Sequence, residues 1–255
     1  MLGNKELVVK SNRLIEAKYR LTLIEQQIIL YAICRCREEQ IGLSGDTLVT
    51  IHANDFAAQF GTHPEEVYRQ LKSAMDTLHT RSVKFHDTAD ETGKPRVIES
   101  NWISNRAYID GAGQIQIQFS AEIVPLITRL ETAFTSYRLD RIGRMTSAHA
   151  VRLYELLLQY LSIRKRELEI TKLKEILQLN GQYGAIKDLK KWVIDVAVGQ
   201  INAHSDLLVS YTQRKTGRAV THLLFDIKSK PKTTEITPNK DDAGGIRRTI
   251  ASPAD

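Results

Sequence analysis

The 255-residue chain holds only two cysteines, Cys34 and Cys36. One residue apart on what reads as a single helix, they cannot close an ordinary disulfide. With no CxxC pair they do not make a zinc site either. So little thiol chemistry fits a reducing cytoplasm. No apolar run approaches the span of a bilayer, and no early stretch joins basic residues to an apolar segment of signal-peptide length. A cytoplasmic chain without a membrane partner is expected. No glycine-rich phosphate loop occurs, so ATP hydrolysis has no motif to rest on. The seven histidines, His52, His63, His79, His86, His149, His204 and His222, include no pair flanking a single residue. The two-histidine metal site of a rolling-circle nicking enzyme is therefore missing, and neither metal nor cofactor is expected.

Positive charge is unevenly spread. Residues 1–137 carry 15 Lys and Arg against 17 Asp and Glu, residues 138–232 carry 18 against 9, and the remainder 3 against 4. The balances of −2, +9 and −1 account for the net charge of +6. Clustered cations that neutralise a polyanion release its condensed counterions, a sequence-independent source of affinity for DNA. The basic half is where a nucleic acid is expected.

One order of elements is stated twice. Thr22 with Glu25 spells a capping box ahead of a nearly all-apolar helix through Ile28–Ile33. A short strand at 48–51, a helix from Ala53 or Asn54 to Phe60 stopped by Gly61, and a helix begun by Pro64 follow. Strands at 82–86 and 97–108 flank an acidic tip at 87–94. A strand at 114–119 and an amphipathic segment at 121–130 lie between the modules, with a hinge at 135–143. From Thr146-Ser147 the order recurs: helix through Leu161, strand at 167–170, helix 172–179 capped by Thr171, helix 186–202, and a hairpin of 207–212 with 220–227. Helix-turn-helix plus hairpin is a winged helix, which meets duplex DNA. The expected fold class is α+β: two tandem winged-helix domains, 1–137 and 138–230. Residues 231–255, rich in Pro, Gly and charge, read as a disordered tail.

In a helix-turn-helix the first turns of the second helix approach base edges. Lys187, Lys190 and Lys191 lie there, off a buried stripe of Leu189, Val193, Val196, Ala197 and Ile201. Tyr183, just before the helix, adds a hydrogen-bonding group, while Trp192 reads as packed on the hairpin. The wing tip carries Arg214, Lys215 and Arg218, aimed at backbone phosphates, and Arg152 on the module's first helix is placed near another phosphate. In the first module Arg69 and Lys72 are candidate accessory DNA contacts.

Tyr68-Arg69-Gln70-Leu71-Lys72 in the first module resembles the iteron-binding plasmid replication initiators of bacteria. So, with matching order and spacing, do Ile201-Asn202, Val209-Ser210-Tyr211, Lys215, Gly217-Arg218, Thr221-His222 and Phe225 in the second. The resemblance spans Leu7 to Lys228. It implies binding of direct repeats at a plasmid origin, with the second domain reading the repeat and the first dimerising or adding a contact. It further implies a homodimer in equilibrium with monomer, repression of the chain's own promoter, and recruitment of the host replication initiator and replicative helicase. The family's basic recognition-helix positions fall on Lys190, Lys191 and Trp192, the last a departure. A transcriptional repressor without origin function shares the same DNA-binding physics, though such a repressor usually obtains two half-sites by dimerising one module. A DNA-strand-transfer enzyme is the remaining alternative: His149-Ala150-Val151-Arg152 with Tyr183 downstream formally matches a tyrosine recombinase. That match is short enough to arise by chance. Incubated with supercoiled DNA, the chain is expected to leave neither nicks nor a covalent tyrosyl adduct; either product would reverse the reading of a non-catalytic chain.

Overall fold

The computed structural model describes residues 6–41, 46–88, 93–128 and 133–231. The tail read at 231–255 lies outside them from residue 232 onward, as does part of the first wing tip. Strand β1 (Leu7–Ser11), helix α1 (Asn12–Ile15) and strand β2 (Lys18–Tyr19) lead to α2 (Leu23–Glu39). The expected capping box forms: the Glu25 N–H donates to Thr22 Oγ1 at 3.3 Å, and the Thr22 N–H donates to Glu25 Oε2 at 2.6 Å. Ile28, Ile29, Leu30, Ala32 and Ile33 are all buried, which makes α2 the central post of the first domain.

Around that post pack β3 (Val49–His52), α3 (Ala53–Phe60) and α4 (Pro64–Leu78), with Gly61 in the left-handed conformation (φ 69°) that ends α3. Strands β4 (Ser82–Thr88) and β5 (Pro95–Asn101) form the wing, joined at its edge by β2. The segment read as one strand over 97–108 is two, because Trp102 leaves the pleat to become fully buried. Its ring meets Tyr19 edge-on, 4.8 Å between centroids, and its backbone bonds to Arg81 and Ser120 instead of a ladder partner. After this break β6 (Ile103–Ile109) pairs with β7 (Gln114–Phe119), and β7 pairs with β3. Strand β7 thus sits inside the first domain, with Ile117 opposite Val49 and Ile115 opposite Ile51, all buried. After α5 (Val124–Thr128), strand β8 (Phe134–Arg138) pairs antiparallel with β1, so the stretch expected to be a hinge is built into a sheet.

The second domain contains α6 (Ala148–Leu158), β9 (Lys165–Glu169), α7 (Ile170–Ile176), α8 (Ile186–Leu189), a π-helical stretch (Lys190–Ile194) running into α9 (Asp195–His204), then β10 (Leu207–Thr216) and β11 (Ala219–Ser229). Sheet order β10-β11-β9 completes the winged helix. The second module's strand and following helix begin earlier than expected: Glu169, not Thr171, is the N-cap of α7, and it makes no side-chain cap bond.

The seam between the modules is charged and buried. Lys10 Nζ donates to both Glu155 oxygens at 2.9 and 3.0 Å, and Tyr137 Oη donates to Glu155 Oε1 at 2.7 Å. Arg152, one turn before Glu155 on α6, donates to the carbonyls of Ile15 and Ala17 at 3.0 and 2.9 Å and to Tyr19 Oη. Its guanidinium lies 3.7 Å from the Tyr19 ring centre. With 2 % of its surface exposed, Arg152 is not a phosphate contact; it is a clasp between the domains. The ion pairs Arg166–Glu16 and Lys18–Glu175 continue the seam outward. Burial pushes the Glu155 carboxyl up, but Lys10, Arg152 and the Tyr137 hydroxyl outweigh it and hold the pKa below the ordinary carboxylate value.

Removing one partner of a buried pair leaves an uncompensated charge, which costs about 3–5 kcal/mol. Glu155→Ala is expected to lower unfolding free energy by about that much in urea titrations, and Glu155→Leu combined with Lys10→Met by less. Because the folded-state pKa is depressed, the wild-type contribution is fully present above the unfolded value, about 4.3. It is lost as pH falls through the folded pKa, and Glu155→Leu with Lys10→Met should remove that acid-sensitive component.

Candidate nucleic-acid interface

The helix formed by α8, the π stretch and α9 is the second helix of the second domain's helix-turn-helix. Lys174 Nζ secures the turn before it, donating to the carbonyls of Gln182 and Tyr183 at 3.1 and 2.7 Å. Tyr183 adopts a left-handed backbone (φ 51°), and its ring is half-buried against the core. It anchors this turn.

A π turn inserts an extra residue into the helical register, and such turns concentrate at functional sites. Here it shifts the phase of the buried stripe. Ile194 is fully buried, whereas Val196, expected in the stripe, is 39 % exposed. Trp192, expected to pack on the hairpin, is 58 % exposed. Lys187 and Lys191 are exposed, and Lys191 Nζ stands 4.5 Å from the Trp192 ring centre. Lys190 turns towards the hairpin instead: its Nζ is 3.4 Å from Gln213 Oε1 and 5.6 Å from the Tyr211 ring centre. The helix is locked to that hairpin by two further contacts. Tyr211 Oη donates to Asp195 at 2.5 Å, and the Asn202 side chain accepts from Val209 N–H at 2.7 Å and donates to Val209 O at 2.8 Å. Burial and the Asp195 carboxylate raise the Tyr211 pKa, so this phenol stays a donor at neutral pH.

The wing is longer than the sequence suggests. Strand pairing continues to Thr216 opposite Ala219, with a register shift between Arg214 and Lys215, and Gly217 (φ 62°) makes the reversal. Arg214 is bound to Glu167 at 2.5 Å. Lys215 and Arg218 are exposed at the tip. Lys187, Lys191, Lys215 and Arg218 thus hold no acidic partner among the described residues. Recognition helix and wing offer cations on the elements that a winged helix presents to duplex DNA.

The first module presents less. Lys72 Nζ is paired with Asp110 at 2.9 Å, which also accepts from Tyr68 Oη at 2.8 Å. Arg69 is exposed and lines an open groove with Thr22, Ile24, Gln70, Ser73 and Thr77. At the base of the acidic wing Asp87 binds Arg13 and Arg96 at 2.5 and 3.1 Å. No three His, Cys, Asp or Glu side chains gather to hold a metal among the described residues. The His149, Arg152 and Tyr183 trio does not form an exposed site, since Arg152 faces the seam. Sequence reasoning missed Asn202 as the helix-to-wing lock and Asp195 as the partner of Tyr211; the Asn-x₆-Val spacing carries no general signal for either.

Residues 7–158 match the family model described as Initiator Replication protein, WH1, and residues 169–227 match Initiator Rep protein, WH2. The chain is 26 % identical over 259 residues to a replication initiation protein of Escherichia coli, covering 97 % of this chain and 79 % of that one. It is 24 % identical over 239 residues to an uncharacterized 27.6 kDa protein of Escherichia coli, covering 90 % and 97 %. Among solved structures, the Pi initiator protein in complex with iteron DNA has the same fold, with a TM-score of 0.70 at 21 % identity over 89 % of this chain and 98 % of that one. With both halves matched and two winged helices in tandem, the chain belongs to the initiator replication protein family.

Proposed function

We propose that the chain initiates replication of a plasmid by binding direct repeats at its origin as a sequence-specific duplex-DNA-binding protein of the cytoplasm. The observation that carries this reading is the set of cations without an acidic partner among the described residues on the recognition helix and wing of the second module: Lys187 and Lys191, then Lys215 and Arg218. Phosphate contacts from the wing set register, and helix contacts at the base edges select sequence. The solved complex of the similarly folded Pi initiator with iteron DNA supports the same ligand class. Lys190 and Arg214 act second, because Gln213 and Glu167 already hold them. Tyr183 positions the helix turn, Arg69 adds an accessory contact from the first domain, and Lys72, held by Asp110, acts second there. Several copies side by side on repeats would strain neighbouring AT-rich DNA, whose opening depends on local deformability. The physical work is binding and deformation, with no covalent step.

The domains are assigned as a first winged helix to residue 137, devoted to dimerisation and accessory contact, and a second to residue 230 that reads DNA. Monomer and homodimer exchange, with the host replication initiator and replicative helicase recruited to the opened origin and the dimer repressing its own promoter. A repressor without origin function would use the same surface. A footprint over the DNA flanking the gene separates the two: regularly spaced repeats support initiation, and a lone operator supports repression.

Lys187→Ala with Lys191→Ala should weaken binding far more than Arg69→Ala, whereas Lys215→Ala with Arg218→Ala on the wing should lower the slope of log K against log salt by about 1.8, the value for two phosphate contacts. Lys190→Ala should cost less than Lys191→Ala. Equal losses for Lys187→Ala with Lys191→Ala and for Arg69→Ala in a titration series would contradict the division of labour between the modules.

A further inference from the structure

We propose that Trp192 is a specificity-determining residue that reads thymine through its 5-methyl group in the major groove. The inference rests on the DNA-reading assignment above and adds a side chain that charge alone does not select. Two tryptophans occur in the chain: Trp102 is fully buried, and Trp192 is 58 % exposed. Val196, one turn further along the same helix, is 39 % exposed, so the two form an apolar stripe on a helix face. An indole left half in water forgoes burial that a partner can supply.

The surroundings choose the partner. Lys191 Nζ lies 4.5 Å from the ring centre, a cation–π contact that fixes the indole on the helix's outer face, and Lys187 is exposed one turn earlier. The nearby carboxylate of Asp195 accepts the Tyr211 hydroxyl, which partly shields its charge. An apolar stripe rimmed by ammonium groups complements a surface that is anionic at its edges and apolar within. Duplex DNA offers that combination in one place: phosphates flank the major groove, and the thymine 5-methyl is the apolar group presented there. The π turn at Lys190–Ile194 carries Trp192 on its outer side and Val193 and Ile194 on its buried side.

The test uses the full chain and a duplex selected from a randomised pool by that chain. Each thymine of the selected duplex is replaced singly by deoxyuridine, which removes one methyl and leaves pairing intact. At one or more positions the wild type should lose about four-fold in affinity, the worth of one buried methyl, and Trp192→Ala should lose nothing further there. Trp192→Phe should keep part of the sensitivity. Because the side chain is exposed, Trp192→Ala is expected to fold, which its circular dichroism and its salt-dependent binding to unselected DNA would verify. Independently, acrylamide quenching of tryptophan emission should fall when the selected duplex is added, Trp102 being already shielded. Identical deoxyuridine profiles for wild type and Trp192→Ala would overturn the proposal while leaving the DNA-reading assignment standing. Protection of Trp192 by raised protein concentration without DNA would overturn it in favour of a second copy of the chain. A pool that yields no enriched sequence would remove both readings together.

Discussion

A carboxylate buried between two cations holds the molecule together. Glu155 projects from α6 into the seam, where Lys10 of β1 and Arg152 meet it, and Tyr19, Tyr137 and two backbone carbonyls bond to the other polar atoms save Arg152 Nε, which is buried without a partner among the described residues. Lys10 and Tyr19 lie on β1 and β2 and Arg152 and Glu155 on α6, so separating α6 from those strands would expose or orphan charges that are paired only in contact. A buried ion pair adds little stability over a well-packed apolar core, but it is geometrically selective. Here that selectivity sets how α6 sits against β1 and β2.

The division of cations follows from the same economy. Charges on the first module are largely spent internally: Lys72 on Asp110, Arg81 on Glu25, Arg96 and Arg13 on Asp87. On the second, the basic residues of the recognition helix and wing that stay unpaired, Lys187, Lys191, Lys215 and Arg218, sit where the fold offers a duplex its groove and backbone. Asn202, Asp195 and Gln213 join helix to hairpin, so the two elements that carry these cations are tied to each other. A rigid constellation loses less entropy on binding than four independent side chains do.

Much of this was legible in the sequence, because local chemistry agreed with the fold. The Thr22–Glu25 capping box, Gly61 at the end of α3 and Pro64 at the start of α4 each follow from backbone rules that act within a few residues. What was not legible was long-range or off-period. Trp102 broke a strand whose propensities were continuous, since its burial is decided by Tyr19, far away in sequence. The π turn lies where Ile194 is buried and Val196 exposed, an arrangement that differs from the stripe expected from a 3.6-residue period. Arg152 looked like a phosphate ligand because charge in a basic module suggests one; its partners Tyr19, Ile15 and Ala17 lie more than a hundred residues away, beyond any pattern of spacing.

If the seam makes one reading head from two modules, they must also unfold as one. Calorimetry of the intact chain at neutral pH should show a single transition whose van't Hoff enthalpy equals its calorimetric enthalpy. Two resolved transitions under those conditions would contradict it.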